Sequence, residues 1–218
     1  MIKLENIWKS FRTGSSRKWV AKGIDLSIGN RTSIALLGRN GAGKSTLLKM
    51  IAGTVNPELG NITRTSTISW PVGFAGSFHP DLTGAQNVRF VARIYGADTR
   101  SLVSFVEDFA ELGGHYHMPF RTYSSGMRSR LAFGVSMGIP FDTYLVDEIT
   151  AVGDAAFRRK STQVFRARLA KSGAVVVTHS MPMVRELCTT AAVLENGCLE
   201  IFNDVDKAIA RHEQNMAA

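Results

Sequence analysis

Residues 38–46 constrain the fold of this chain more than any other segment. They read GRNGAGKST and fill the pattern G-x-x-x-x-G-K-[ST] without a gap. Glycines let backbone N–H groups approach phosphate oxygens closely, Lys44 can reach the β- and γ-phosphates, and the Ser45 hydroxyl can ligate Mg²⁺. Because the apolar run 33–37 precedes the loop and apolar residues at helical spacing follow it, we predict a strand, a phosphate-binding loop and a helix. The residues predicted to bind nucleotide here are Gly38, Arg39, Asn40, Gly41, Ala42, Gly43, Lys44, Ser45 and Thr46.

The bulk composition agrees with a globular nucleotide-binding domain. The chain has 218 residues, of which 44% are hydrophobic, enough to bury one sizeable core. No stretch approaches the roughly 20 apolar residues of a membrane helix, and the N-terminus lacks the apolar core of a signal peptide. Cys188 and Cys198 lack metal-binding spacing, which predicts two reduced thiols in a cytosolic protein.

Positive charge is concentrated near the N-terminus. The formal net charge is +8, and residues 1–60 hold ten Lys or Arg against three Asp or Glu. A basic surface can face nucleic acid, anionic lipid or an acidic polymer, or it can be a solvated face without a partner. Charge alone does not choose among these.

Strand and helix patterns alternate along the chain without internal repeats. The alternation predicts an α/β fold with a mainly parallel sheet and right-handed crossovers. Two N-terminal segments alternate like edge strands of an antiparallel layer, and the span from about 82 to 137 has helical patterns but no convincing strand. The predicted strands are 2–4, 24–28, 33–37, 144–146, 174–177 and 191–194, with helices near 155–171 and 181–188.

A second chemical site follows the apolar strand at 144–146. Asp147 can hold Mg²⁺ through water, and Glu148 can polarise a water for in-line attack on the γ-phosphate. Asp147 lies 103 residues after Lys44 (147 − 44), and we expect it on the strand next to the one that enters the phosphate loop.

A third motif, YSSGMRSRL at 123–131, lies between these two sites. Ser124 and the Gly126 amide stand at a predicted helix start, where hydroxyl, N–H and helix dipole converge on an anion. The segment resembles the signature motif of ABC-transporter ATPases, usually written LSGGQ. That resemblance implies that Ser124 and Gly126 bind the γ-phosphate held by a second copy, so that two copies close head-to-tail around two ATP molecules.

Three further positions match the ABC pattern. The resemblance implies that Phe11 stacks on adenine, that Asp154 is the aspartate that bridges two subunits, and that His179 is the switch histidine, which contacts the γ-phosphate and acts with Glu148 in catalysis. The metal ligands would be Ser45 and Asp147, with ATP and Mg²⁺ as the bound species.

Some positions depart from the family pattern. No Gln occurs between Ser45 and Gln86, although the family uses one to contact Mg²⁺ and the attacking water. His79 or a backbone group are the alternatives for that sensor. Ser125 replaces the first signature glycine, Met127 replaces the signature glutamine, and Ile149 stands where a proline usually follows the catalytic glutamate.

Four segments are similar to one group within the family, the ATPase subunits of Gram-negative capsular polysaccharide exporters: 68–74, 82–87, 123–131 and 146–154. The resemblance implies the P-loop NTPase fold of ABC ATPases, with a RecA-like core, an N-terminal antiparallel β layer and an inserted α-helical subdomain. We expect a single ABC ATPase domain over 1–213, with its core at about 1–81 and 138–213, its helical subdomain at about 82–137 and a tail at 214–218.

This group implies a set of partners and a location. We expect a homodimer, peripheral at the cytoplasmic face of the inner membrane, that serves an integral membrane permease and indirectly periplasmic and outer-membrane export proteins, with no nucleic acid. Three alternatives remain open: an ATPase for another cargo (O-antigen, teichoic acid or a drug), a soluble ABC protein acting on ribosomes or DNA, and a nucleotide-gated clamp without turnover. Co-purification with a permease or with nucleic acid separates the first from the second.

Overall fold

The computed structural model describes residues 1–14, 16–74, 76, 78–147 and 154–217. The chain divides into two compact units. Unit 1 comprises Met1–Ser69, Asp142–Glu148 and Lys171–Ala218, and unit 2 comprises Trp70–Phe141 and Ile149–Ala170. Among the described residues, no helix is long and apolar enough to cross a membrane.

The secondary structure follows the predicted α/β alternation. The strands are β1 (Ile2–Thr13), β2 (Ser16–Ile28), β3 (Ser33–Leu37), β4 (Leu59–Arg64), β5 (Ile68–Pro71), β6 (Thr143–Asp147), β7 (Gly173–Val177), β8 (Thr190–Glu195) and β9 (Cys198–Phe202). The helices are α1 (Lys44–Ala52), α2 (Gly84–Ile94), α3 (Thr99–Ala110), α4 (Ser125–Gly138), α5 (Ala155–Leu169), α6 (Met181–Leu187) and α7 (Val205–Ala217), with short 3₁₀ turns at Gly113–His117 and Phe120–Thr122.

Unit 1 holds the antiparallel layer that the N-terminal alternation predicted. Its three strands lie in the order β2-β1-β4, and β1 pairs antiparallel with both neighbours. The side chains of Ile2, Leu4 and Ile7 are buried in the core. The register shifts after Leu4, next to Asn6, whose φ of 49° is left-handed.

The second sheet is mainly parallel, as predicted. Its strand order is β5-β6-β7-β3-β8-β9. β3 pairs parallel with β7 and β8, and β6 pairs parallel with β7, whereas β9 runs antiparallel to β8. β3 and β7 are buried along their whole length, which explains their continuous apolar sequences. The carboxyl ends of β6, β7 and β3 therefore meet at one edge of the sheet.

Unit 2 is built on helices around an aromatic core. Phe109 of α3 stacks on Phe133 of α4 with ring centroids 5.8 Å apart, and Phe157 of α5 contacts Phe109 at 5.2 Å. The bounds of 82–137 for a helical subdomain stay a prediction. At the other end of the chain, α7 runs to Ala217 and so takes in residues 214–217 of the span predicted as a tail.

Candidate nucleotide-binding site

The phosphate loop connects β3 to α1, the strand–loop–helix order that the sequence predicted. Gly38, Gly41 and Gly43 have φ of 151°, 77° and 113°, values that favour glycine. Close packing adds a second requirement. A Cβ on Gly38 would lie 2.4 Å from the Leu194 carbonyl oxygen, and one on Gly43 would lie 2.8 Å from the Val20 Cβ. Glycine is therefore required here by both backbone conformation and space.

Lys44 is held over its own loop. Its ammonium donates hydrogen bonds to the carbonyl oxygens of Gly38 (2.6 Å) and Arg39 (3.0 Å), and the residue is only 8% exposed. These contacts fix a positive charge at the first turn of α1, where backbone N–H groups have no partner within the helix. The arrangement favours an anion bound in the loop.

Ser45 and Asp147 lie together although 102 positions separate them. The Ser45 hydroxyl donates to Asp147 Oδ1 over 3.5 Å. The expectation that Asp147 lies on the strand next to β3 was wrong, because β7 lies between β6 and β3. The two side chains meet because Ser45 lies in the first turn of α1 while Asp147 ends β6, and both lie at the carboxyl edge of the sheet.

The Ser45–Asp147 pair fits Mg²⁺. Hydroxyl and carboxylate are the hard oxygen ligands that Mg²⁺ prefers, and it commonly uses one or two carboxylates together with substrate phosphates. No group of three or more His, Cys, Asp or Glu side chains among the described residues could hold a metal alone. The pair therefore suits an ion shared with a phosphate chain.

His179 lies near the same edge, two residues beyond the end of β7. Val177 pairs in register with Asp147, so the chain leaves the sheet beside the Asp147 carboxylate. The Ser180 side chain caps α6, which begins one residue later. Glu148, the predicted base, lies outside the described residues, as does Ile149.

Phe11 lies on the strand pair that flanks the phosphate loop. It is 45% exposed and pairs across the strands with Lys18. The Lys18 ammonium lies 3.5 Å from where a Cβ on Gly41 would stand. Directly opposite side chains in an antiparallel pair share a face, so Phe11 faces the side of the sheet on which Lys18 meets the loop. An exposed aromatic ring in this place can stack on a base.

Sequence reasoning missed Lys18, and only the pairing register with Phe11 could have drawn attention to this residue.

Sequence reasoning also missed His212 on α7. This side chain is 7% exposed, and its Nδ1 has no hydrogen-bond partner among the residues that the structure describes. Burial lowers the pKa of His212, and electrostatic interactions with Lys44 and His179 lower that pKa further. Those two influences place His212 within electrostatic reach of the loop.

The predicted signature residues lie in unit 2, at the start of α4. The Ser124 side chain caps this helix by accepting from the Met127 N–H over 3.3 Å. Of the described part of the chain, no atom would lie within 4 Å of a Cβ on Gly126. The first turn of α4 thus offers a hydroxyl, N–H groups and open space, which suits contact with an anion from outside this unit.

Asp154 caps α5, also in unit 2. Its Oδ1 accepts from the N–H groups of Ala156 (3.0 Å) and Phe157 (2.9 Å), and its Oδ2 accepts from Arg130 at 2.9 Å. The Phe157 N–H bond and the Arg130 charge lower the pKa of Asp154. The carboxylate therefore stays charged and fixed at the helix start, and its bridging of two subunits stays a prediction.

His79, one alternative for the missing glutamine, is tied into unit 2. Its backbone N–H donates to Asn87 Oδ1 (2.8 Å), and its ring Nδ1 accepts from the Asp81 N–H (3.2 Å). The Asn87 amide also donates to three carbonyl oxygens, those of His79, Leu82 and Thr83. Asn87 therefore fixes the chain where it enters α2.

Comparisons with known proteins agree with this site. Residues 21–151 match the family model described as ABC transporter. The chain is 52% identical over 198 residues to the polysialic acid transport ATP-binding protein KpsT of Escherichia coli, covering 90% of this chain and 88% of that protein. It is 43% identical over 209 residues to the capsule polysaccharide export ATP-binding protein CtrD of Neisseria meningitidis serogroup B, covering 95% and 96%. The fold is similar to that of the ATP-binding cassette MJ0796 in a dimeric post-hydrolysis state bound to ADP and Pi, with a TM-score of 0.76, 22% identity and coverage of 92% and 97%.

Proposed function

The chain belongs to the ABC transporter family, and from that premise we propose that it is the ATP-hydrolysing subunit of an exporter that moves lipid-linked capsular polysaccharide across the inner membrane. The convergence of Ser45 and Asp147 beside Lys44 carries the ATPase part of this proposal. The cargo part is supported by 43–52% identity to proteins named for polysialic acid transport and capsule export.

In the proposed reaction the phosphate loop binds the triphosphate of ATP. Lys44 pairs with the β- and γ-phosphates, and backbone N–H groups at the start of α1 donate to them. Bound Mg²⁺, held by Ser45 and Asp147, would neutralise charge that develops on the phosphate oxygens. Phe11 stacks on adenine. Glu148 accepts a proton from the attacking water, and His179 contacts the γ-phosphate.

A second copy of the chain completes the site in this proposal. Ser124 and Gly126 of one copy would contact the γ-phosphate bound by the other, with the N-terminal dipole of α4 directed at that charge. The open space at Gly126 supports this, because a side chain there would stand between the helix start and the phosphate. The MJ0796 cassette was solved as a dimer. ATP binding would close the dimer, and hydrolysis would reopen it.

An aromatic groove in unit 2 supports docking of a permease. It is lined by Trp70, Phe74, Phe78, Phe90, Val91, Ile94 and Tyr95. Phe74 and Phe90 are each 53% exposed and Ile94 is 61% exposed, which is unusual for large apolar side chains that lie together. A short amphipathic helix can insert apolar residues into such a groove. We assign the groove, beside the loop 70–80, to a cytoplasmic helix of the permease.

The cargo can be tested in cells. In a Gram-negative strain that makes capsular polysaccharide but lacks its export ATPase, the wild-type chain, expressed with the permease from its own source, is expected to restore polysaccharide at the cell surface. Lys44→Ala should leave polymer inside the cell. If the wild-type chain hydrolyses ATP with its permease but restores no surface polysaccharide, the cargo assignment is wrong while the ATPase assignment stands.

A further inference from the structure

Lys18 places a positive charge directly against the phosphate loop. Its ammonium lies 3.5 Å from the position that a Cβ on Gly41 would occupy, which is ordinary van der Waals contact. The next residue but one, Val20, packs against Gly43. Strand β2 therefore runs along the middle of the loop and fixes where the Lys18 side chain begins.

Two of the neighbouring cations, Arg17 and Arg39, already have hydrogen-bond partners. Arg17 bonds to Ser10 and Glu58, and Arg39 donates to the Asn215 carbonyl oxygen of α7 at 3.1 Å. The aliphatic part of Lys22 lies along Gly197. Lys18, by contrast, makes no ion pair or side-chain hydrogen bond within the ranges that the structure describes.

The Lys18 ammonium faces the same loop as Lys44, so both positive charges would attract an anion bound there. Backbone N–H groups in the loop add to the positive potential. A phosphate chain bound in the loop would interact favourably with both ammonium groups and with these N–H groups.

We infer that Lys18 is a phosphate-binding residue of the nucleotide site, a role that rests on the proposed ATP binding. Phe11 and Lys18 lie opposite each other on one face of the β1–β2 pair, with side chains about 5 Å apart at Cβ. A nucleotide whose base stacks on Phe11 and whose phosphates occupy the loop passes Lys18. The ammonium there pairs with phosphate oxygen, while the aromatic ring binds the base.

Equilibrium binding to the full-length protein separates these roles. We would measure the affinity for ATP and for inorganic tripolyphosphate, which has neither base nor ribose, in wild type, Lys18→Ala, Lys18→Arg, Phe11→Ala and Lys22→Ala. Lys18→Ala should weaken the binding of both ligands by roughly tenfold, which corresponds to the loss of one charged hydrogen bond. Lys18→Arg should retain most of the wild-type affinity. Phe11→Ala should weaken the binding of ATP but not of tripolyphosphate, and Lys22→Ala should change the affinity for neither ligand.

The outcomes distinguish this inference from the proposed function. If wild type binds ATP and Lys18→Ala binds ATP and tripolyphosphate equally well, Lys18 has no phosphate contact and the ATPase assignment stands. If Lys18→Ala weakens ATP but not tripolyphosphate, the contact is to the ribose or base and the inference is wrong. If wild type binds neither ligand, both the proposed function and this inference fail.

Discussion

Ser45 Oγ and Asp147 Oδ1 lie 3.5 Å apart, although the residues are 102 positions apart in the chain. Ser45 lies in the first turn of α1, which follows β3 and the phosphate loop. Asp147 ends β6, which lies two places from β3 in the same sheet. A parallel sheet brings such residues together because its loops collect at the carboxyl ends of the strands. In the proposed function, this pair holds the Mg²⁺ of a metal-dependent nucleotide reaction.

Loss of the Asp147 charge or of the Ser45 hydroxyl should weaken the metal dependence of nucleotide binding. Asp147→Asn and Ser45→Ala are each expected to reduce the gain in ATP affinity on adding Mg²⁺ by at least about tenfold, or ~1.4 kcal/mol, because Asp147→Asn removes the negative charge of one ligand and Ser45→Ala removes the oxygen of the other. Ser45→Thr keeps the hydroxyl and serves as the control. Unchanged metal dependence in Asp147→Asn would place the ion elsewhere.

Two glycines of α4 should respond differently to alanine. A Cβ on Gly126 would contact none of the described residues within 4 Å, so Gly126→Ala should fold normally yet lose ATP-driven dimerisation. A Cβ on Gly138 would lie 2.3 Å from buried Leu102 Cδ1, so Gly138→Ala should lower the free energy of unfolding by about 1–3 kcal/mol. Thermal unfolding measures the stability of Gly138→Ala, and light scattering in the presence of ATP measures the dimerisation of Gly126→Ala. Normal dimerisation of Gly126→Ala would contradict the signature assignment.

His212 should make the protein sensitive to acid. Burial lowers its folded-state pKa below the ordinary value, so between those two pKa values the unfolded chain binds more protons than the folded one. Stability should therefore fall as the pH drops below the ordinary histidine value, by at most about 1.4 kcal/mol per pH unit. His212→Gln should reduce this dependence when unfolding by urea is followed against pH, whereas His115→Gln, at an exposed site, should not. Identical pH profiles for wild type and His212→Gln would contradict this.

The aromatic groove should couple ATP hydrolysis to the permease. Phe90→Ala and Ile94→Ala remove exposed apolar surface that lines it. Each is expected to weaken permease binding by about 1–3 kcal/mol without changing the ATPase rate of the isolated chain. Arg93→Ala, an exposed neighbour on the same helix, is the control. Stimulation of the ATPase by permease-containing membranes measures the effect, and full stimulation of both groove variants would place the docking site elsewhere.

Strands that are buried on both faces could be predicted from sequence, as could the alternating parts of the two N-terminal strands, whereas the largely exposed β4 and β9 could not. β3, β6, β7 and β8 are short continuous apolar runs, because helices or a second sheet cover both of their faces. β4 is almost wholly exposed and has no apolar alternation, so its sequence carries no strand pattern. β9 lies at the edge of its sheet and is also largely exposed, and it was not predicted although four of its five residues are apolar.

The candidate site divides along a similar line. The grouping of Lys44, Ser45 and Asp147 could be predicted because each of them lies in a short contiguous sequence motif. Lys18 could not, because its relation to Gly41 exists only once β2 lies against the loop. The predicted position of β6 was wrong because it also depends on the tertiary structure. The sequence shows that Asp147 ends a strand, but it does not show that β7 lies between β6 and β3.

The most direct test of the shared-site ATPase is hydrolysis by Glu148→Gln beside wild type, each with and without the permease. Glutamine keeps the size of the side chain but cannot accept a proton from water. We expect Glu148→Gln to bind ATP, to form a stable dimer in its presence and to lose nearly all turnover, while wild type turns over and is stimulated by the permease. Hydrolysis by Glu148→Gln at the wild-type rate would contradict the catalytic assignment, and a wild type that binds ATP without ever hydrolysing it would be a nucleotide-gated clamp.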